Sequence, residues 1–430
     1  MELFLLVAAL IVMILLGAPM GVTMAVLPVV YILFTGELPL STIPYQMYEA
    51  LSHAPLIAVP FFILTGELMN SSQITERLLV LSRELVGRIR GGLAQMNVLA
   101  SMLFAGMNGS AVADVAAIGG VLIPAMKRAG YPGAFAAALT AVASTIGGII
   151  PPSIVMVLLA SSMSMSVGAL FAAGIVPGIL VAVLLMFVAW IYSVKRGYER
   201  YEVPFSFAAL WRALAGAWAA LLIPAIIVAG ILMGVFSATE AGAVSAVVAL
   251  IVGAFVYRMF SLRALGGTLS RTVKVTSSVF IILAASGPFS WLLNRIGALQ
   301  GLEQFFMTFT GNALLFSVIL VAFILIVGTI IETVPCIIVL GPTLIKVSTA
   351  AGFHEVQAAL VLTVGFLMGA VSPPVGVCYF TAATLAQEKL EAVARELIPF
   401  MAAEVVVMFL ILFVPSITLA VPQMLGFVKG

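Results

Sequence analysis

Aspartate occurs once in this 430-residue chain, at Asp114, while histidine and cysteine occur twice each and charged residues make up 8%. A soluble domain carries about 25% charged residues, so this scarcity excludes a soluble domain of any size. Cys336 and Cys378 both lie in apolar surroundings. That excludes a disulfide framework and a cysteine metal site. A metalloprotease helix is excluded too, because His354-Glu355 runs on into Val-Gln-Ala and closes no His-Glu-x-x-His motif. A single aspartate rules out a pair of membrane aspartates, and with it that type of intramembrane enzyme. No basic region precedes the first apolar run, so the N-terminus is expected to be a membrane helix and not a cleaved signal. What remains is apolar: 63% of the residues are hydrophobic, in runs long enough to span a bilayer. The class is an all-α polytopic membrane protein.

One stretch interrupts that pattern in mid-run. Ser144-Thr145-Ile146-Gly147-Gly148-Ile149-Ile150-Pro151-Pro152-Ser153 places two prolines four residues after two glycines. Proline has no N–H and its ring pushes on the carbonyl four residues back. The helix must break there and leave the oxygens of Gly147 and Gly148 bare. Lipid cannot satisfy such groups, so the break must be packed in protein or line a cavity. The same pattern returns at Gly369-Ala370-Val371-Ser372-Pro373-Pro374-Val375-Gly376. The proline pairs begin 222 residues apart, at 151 and 373, and the same offset relates Gly106 to Gly328, Gly130 to Gly352, Gly147 to Gly369 and Pro177 to Pro399. Two half-chain repeats, each with a broken helix, are the signature of a secondary transporter.

Hydropathy places helices at 3–16, 18–34 and 54–70, with a loop at 35–51 that holds Glu37 and Glu49. Segment 72–90 carries Ile74, Leu78, Leu81, Leu85 and Ile89 at helical spacing among charges, as an amphipathic interfacial helix does. Two short apolar segments, 93–105 and 113–126, flank Gly106-Met107-Asn108-Gly109-Ser110 and predict a re-entrant hairpin. The broken helix follows at 133–165, then a helix at 168–193. The second half repeats the plan: helices at 218–235, 238–257 and 274–293, a linker helix at 295–308, a hairpin at 312–350, a broken helix at 355–386 and a last helix at 397–422. Five crossings and one hairpin per half invert the second half. With both termini outside, 16 of the 19 Lys and Arg residues fall on the cytoplasmic side, and only Arg295, Lys346 and Lys429 do not.

An inverted repeat brings the hairpin tips and helix breaks together near the bilayer centre. Hydroxyls and carbonyls there suit a small hard cation, and helix N-termini suit a carboxylate. The first candidate cation site joins Asn108, Gly109 and Ser110 to Ser144, Thr145 and Gly147. The second joins Thr329, Glu332 and Thr333 to Gly369, Ser372 and Gly376. Candidates for holding the solute are Ser110, Asp114, Pro151, Pro152, Ser153, Pro373, Pro374 and Thr381. Two readings stand for Asp114 and Glu332, a functional membrane carboxylate or a helix cap. Glu67, Glu240 and Glu404 are expected to form structural pairs, and Cys336 and Cys378 to be packing residues.

The runs Pro60–Asn70, Ser101–Asp114 and Ser144–Ser153 resemble the large membrane subunit of tripartite ATP-independent periplasmic (TRAP, DctM-like) transporters, and the likeness covers essentially the whole chain. The resemblance implies a bacterial inner-membrane importer of organic acids such as C4-dicarboxylates or sialic acid, driven by Na+. It implies two partners, a small four-helix membrane subunit (DctQ-like) and a periplasmic substrate-binding protein (DctP-like). It also implies an elevator. Residues 1–71 and 218–294 would be scaffold, 72–92 and 295–310 arms, 194–217 a cytoplasmic linker, and 93–193 and 311–430 the two halves of a moving transport domain. The second tip departs from the first, with Glu332-Thr333 in place of Asn-Gly-Ser. A stand-alone sodium/divalent-anion symporter is the alternative.

Overall fold

The structure, a computed structural model, describes residues 2–36, 38–71, 74–198, 206–257, 262–374 and 376–429. The described residues are helices and their connections, and eight helices are long and apolar enough to cross a membrane. The chain is an all-helical multi-span membrane protein. Arg200 and Arg258 of the charge pattern lie outside the described residues, as does Glu37.

Glu2–Leu15 and Met20–Thr35 flank the Gly17-Ala18-Pro19 corner. Residues 35–51 are not the expected loop, because Thr42–Leu51 is helical. Its sequence hides this behind Pro44, Gln46 and Glu49, and Ile43 is its one buried residue. Gly287 explains how it is held. A methyl group there would lie 3.0 Å from Ala50 Cβ and 3.1 Å from the Gln46 carbonyl carbon. The bare glycine lets Thr42–Leu51 lie directly on the long helix Leu262–Arg295.

Ala58–Ser71 leads to Ile74–Val86, the amphipathic segment. Leu78 and Leu81 are buried there, but Leu85 and Ile89 are exposed, and Leu79 and Ser82 face inward in their place. Arg77 lies over the Tyr257 ring at 4.3 Å and donates to the Gly216 carbonyl at 3.2 Å. The carbonyl contact ties the segment to Phe207–Leu232, and the ring contact ties it to the end of the helix that follows. The counterpart Ala298–Met307 buries Leu299 and Phe306, and its Glu303 pairs with Lys346 at 2.7 Å.

Gly92–Asn108 turns at Gly109-Ser110 into Ala111–Asp114, a π-helical bulge at Val115–Gly119, and Gly120–Arg128. Gly133–Ala143 tightens to a 3-10 turn at Ser144–Gly148, and helix resumes only at Ile154–Met163. Ala313–Ile330 and Thr333–Ala350 form the second hairpin around Ile331-Glu332. Glu355–Gly369 stops short of Val377–Ala386. The Pro151-Pro152 and Pro373-Pro374 bonds are cis. The last apolar run is two helices and not one, Leu390–Phe413 and Pro415–Met424. Pro415 cannot continue a helix but starts one well, so the chain restarts there.

Filling the Gly287 contact tests this packing. Gly287→Val meets backbone atoms that cannot yield, and overpacking of this kind costs about 1–3 kcal/mol. Thermal unfolding of the detergent-solubilised protein should show a clearly lower midpoint. Gly301→Ala, where a Cβ meets nothing within 4 Å, should leave it unchanged or raise it.

Candidate functional site

The first hairpin tip is built to touch the first break. Gly109 takes a left-handed φ of 59°, and a Cβ on it would lie 2.8 Å from the Pro152 carbonyl oxygen and 3.0 Å from the Ile154 nitrogen. Both facts demand glycine. Ser110 is extended and caps the next helix by accepting from the Ala113 N–H at 3.5 Å.

The expectation of two bare carbonyls at the break needs a correction. The Gly148 oxygen accepts from the Ser153 hydroxyl at 2.6 Å, and the same hydroxyl accepts from the Met156 N–H at 3.2 Å. Ser153 is thus an N-cap and a patch for the break at once, and it is fully buried. Asp114 is also fully buried. Its carboxyl group lies against Gly147, where a methyl would stand 3.3 Å from Asp114 Cγ.

At the second break Ser372 donates to the Met368 carbonyl at 2.6 Å, and the N–H groups of Gly376 and Cys378 donate to Ser372 and Ala370 carbonyls, each at 3.0 Å. Gly328 on the second hairpin lies backbone to backbone with Gly369, its would-be Cβ 3.2 Å from Gly369 Cα. Thr333 reaches across to donate to the Phe366 carbonyl at 3.0 Å. The two breaks also meet: Gly148 faces Leu367, and the Cys378 thiol lies beside Ser144.

A cavity of about 460 Å³ opens where these parts converge. Gly109 and Ser110 line it from the first tip, Thr329, Glu332 and Thr333 from the second, and Gly369, Gly376 and Cys378 from the second break. Ala58–Ser71 and Leu262–Arg295 close the other wall with Glu67, Asn70, Val275 and Val279. Ser144, Thr145 and Gly147 do not line it; they are buried behind it, as Asp114, Pro151, Pro152 and Ser153 are. Asn108 ends its helix beside them, but its side chain lies outside what is described. Ser372 is buried. Pro373 and Pro374 are exposed and, like Thr381, stand away from the cavity. Thr381 donates to the Val377 carbonyl at 2.7 Å.

Glu404 departs from the expected structural pairing. Glu67 does pair, with Arg271 at 2.9 Å, and Glu240 closes a capping box with Ser237. Glu404 is fully buried, takes part in no ion pair among the described residues, and accepts a hydrogen bond from Thr145 in the first break. Its other oxygen has no hydrogen-bond partner among the described residues. A carboxylate inside an apolar span is a functional suspect by default, and that signal was available. The link to Thr145, 259 residues away, carried none.

Helices that stop in mid-span around a cavity are the architecture of a permease of the transporter class. The chain belongs to the family described as tripartite ATP-independent periplasmic transporter, DctM component, whose profile matches residues 7–417. It is 33% identical to the sialic acid TRAP transporter large permease SiaM of Vibrio cholerae, over 95% of each chain. It is 35% identical to the C4-dicarboxylate TRAP transporter large permease DctM of Pseudomonas aeruginosa, over 89% of each. The fold resembles that of the Alcanivorax borkumensis YdaH transporter, with a TM-score of 0.61 over 91% of this chain and 90% of that one at 16% identity.

A double-mutant cycle tests the Thr145–Glu404 contact. Thr145→Val strips the buried carboxyl group of its donor, which costs about 1–3 kcal/mol, and Thr145→Ser should restore most of it. Glu404→Leu with Thr145→Val should lose less stability than the two single losses added together. Additive losses in thermal unfolding would show that the two groups do not interact.

Proposed function

We propose that this chain is the large permease of a sodium-coupled TRAP transporter that imports an organic acid, a C4-dicarboxylate, a sialic acid or a similar carboxylate. The observation that carries the proposal is the cavity of about 460 Å³ on which two hairpin tips and a helix break converge, with the other break buried behind its wall.

The chemistry of the two junctions between hairpin tip and helix break supports a cation. Ser144 donates its proton to the Ala141 carbonyl, Thr145 lies within reach of the Val142 carbonyl, Thr329 donates to Ile326, Thr333 to Phe366 and Ser372 to Met368. With their protons placed on backbone oxygens, or on Glu404 in the case of Thr145, these hydroxyls present lone pairs to whatever sits between them. Oxygen acceptors suit Na+. In this proposal Ser144, Thr145 and Gly147 with the Asn108-Gly109-Ser110 tip hold one ion, and Thr329, Glu332, Thr333, Gly369, Ser372 and Gly376 hold a second. The Asp114 carboxyl beside Gly147 adds negative charge to the first site. Of the solute candidates only Ser110 reaches the cavity, so we assign the solute to the space between Ser110 and Thr333. The N-terminus of Thr333–Ala350 opens onto that space and favours a carboxylate.

The two halves would be inverted repeats that move as an elevator, with the hairpins and broken helices as cargo carrier and Ala58–Ser71 and Leu262–Arg295 as scaffold wall. Local geometry supports the repeat: Gly130 and Gly352 share a left-handed φ, and Ser164 and Gln387 both end second half-helices in that conformation. Placement of Lys and Arg supports termini on the periplasmic side of a bacterial inner membrane. The cavity would then open toward the cytoplasm, since Glu67 and Asn70 stand at the end of Ala58–Ser71 nearest the Arg77 segment. A tripartite system also calls for a small membrane subunit and a periplasmic binding protein.

Proteoliposomes test this. With the small subunit, the binding protein and an inward Na+ gradient, labelled succinate or N-acetylneuraminate should accumulate, and removal of Na+ should stop it. Pro151→Ala with Pro152→Ala should mend the helix and reduce uptake to background while membrane insertion is unchanged. Unaltered sodium dependence in that variant would refute the site assignment. Uptake that needs no binding protein would favour a stand-alone symporter.

A further inference from the structure

A second cavity, of about 350 Å³, lies along the same seam as the first. Three helices line both. Ile154 and Val155 face the first cavity, while Leu158 and Ser161 on the same helix face the second. Val279 faces the first and Leu283 begins the lining of the second on Leu262–Arg295. Thr333–Ala350 shows the same order, Val334 then Ile338. One helical turn, about 6 Å of rise, separates the cavities on each helix. His53 and Leu56 border the second cavity and Asn70 the first. The two therefore open toward opposite ends of Ala58–Ser71, on opposite faces of the membrane.

The lining of the second cavity mixes polar and apolar groups and is more polar than that of the first. Gln46 and Asn294 bring amides, Ser161 and Ser290 hydroxyls, and His53 an imidazole, with Trp291 as a flat apolar face. Ser161 is only 4% exposed, and its hydroxyl has no hydrogen-bond partner among the described residues. Buried hydroxyls are normally paired, so this one is set to bond with an occupant. The charge is of one kind. Glu49 lines the cavity, and no Lys or Arg does among the described residues. Ile154–Met163 also ends here, and the carbonyls of a helix C-terminus carry partial negative charge. A bare dicarboxylate finds no Lys or Arg to pair with among the described lining residues. Hydroxyl groups find acceptors in Glu49 and the amides, donors in Gln46, Asn294 and Ser161, and an aromatic platform in Trp291.

We propose that this second cavity is a solute site for the polyhydroxylated, sugar-like part of an organic acid, on the membrane face opposite the first cavity. The proposal rests on the transport reading above. It makes the chain a permease for hydroxylated acids in preference to plain dicarboxylates. The solute meets this site before the apolar turn between Val279 and Leu283, and the first cavity after it.

Thiol accessibility tests the proposal without knowledge of the natural solute. Ser162→Cys and Ser290→Cys are made separately in the full chain, co-expressed with the small membrane subunit, and treated in intact cells with a membrane-impermeant methanethiosulfonate reagent. Cys336 and Cys378 are buried, and the unmodified chain gives the background. Both variants should label from outside several-fold faster than that background. Gluconate and N-acetylneuraminate should slow labelling several-fold, and succinate should not. Labelling confined to inverted vesicles, labelling absent from both variants, equal protection by succinate, or protection by neither sugar acid would each overturn the proposal. Uptake measured in parallel separates the two readings. Transport without protection removes only the second site, and protection without transport removes only the transport reading.

Discussion

A backbone inside a bilayer has no water to turn to, and each unpaired N–H or C=O there costs several kcal/mol. This chain interrupts two helices at that depth and meets the cost with local substitutes. Ser153 supplies a proton to the Gly148 oxygen, and Ser372 to Met368. The Cys378 N–H crosses the second gap to the Ala370 carbonyl. Burial completes the protection, since residues 144–149 are all buried. The hairpins are what covers them. Each hairpin tip meets a break, which gives the turn a polar surface to pack on.

Close approach makes that meeting possible. Helices in lipid gain little from apolar burial against one another, so small residues that let backbones touch carry much of the association. Gly109 does this against Pro152 and Ile154, and Gly328 against Gly369. The two junctions are nevertheless unlike in chemistry. The first is sealed around a buried carboxyl group, Asp114. The second carries its carboxyl group, Glu332, exposed on the cavity wall. An ion or solute group at the second junction faces the cavity directly. One at the first must pass the Gly109-Ser110 tip.

Features with a local cause were legible in the sequence. Paired prolines force a break wherever they stand in a helix, and the glycine-rich tip before Asp114 marks a turn. Features set by distant partners were not. Thr42–Leu51 is helical because Gly287 opens a bed for it, more than two hundred residues away. Glu404 shows in the sequence as a carboxylate within an apolar run, but its partner Thr145 does not. Leu85 and Ile89 fit the apolar period of their segment but stand outside the contact, Ile89 because the helix ends at Val86 and Leu85 in the last turn before that end. Periodicity describes one helix; which part of it is covered depends on the neighbour.

The two halves of the chain complete one another, and this bears on how the molecule moves. Thr145 of the first half bonds to Glu404 of the second, and Leu367 of the second packs on Gly148 of the first. Lys127 donates to the Ala386 carbonyl at 2.6 Å, and Arg196 holds Glu396 by two hydrogen bonds of 2.8 and 2.9 Å. Neither break could be opened by sliding one half past the other without uncovering polar groups in a medium that cannot solvate them. The wall formed by Ala58–Ser71 and Leu262–Arg295 is different. It meets the cavity mostly with apolar groups, Ile63, Gly66, Val275 and Val279, and its Glu67 is paired within the wall to Arg271, so a rigid body can shift along it and strand few hydrogen bonds. The seam of least resistance therefore runs between that wall and the joined breaks, which favours the rigid-body movement proposed for the transport cycle over rocking of one half against the other.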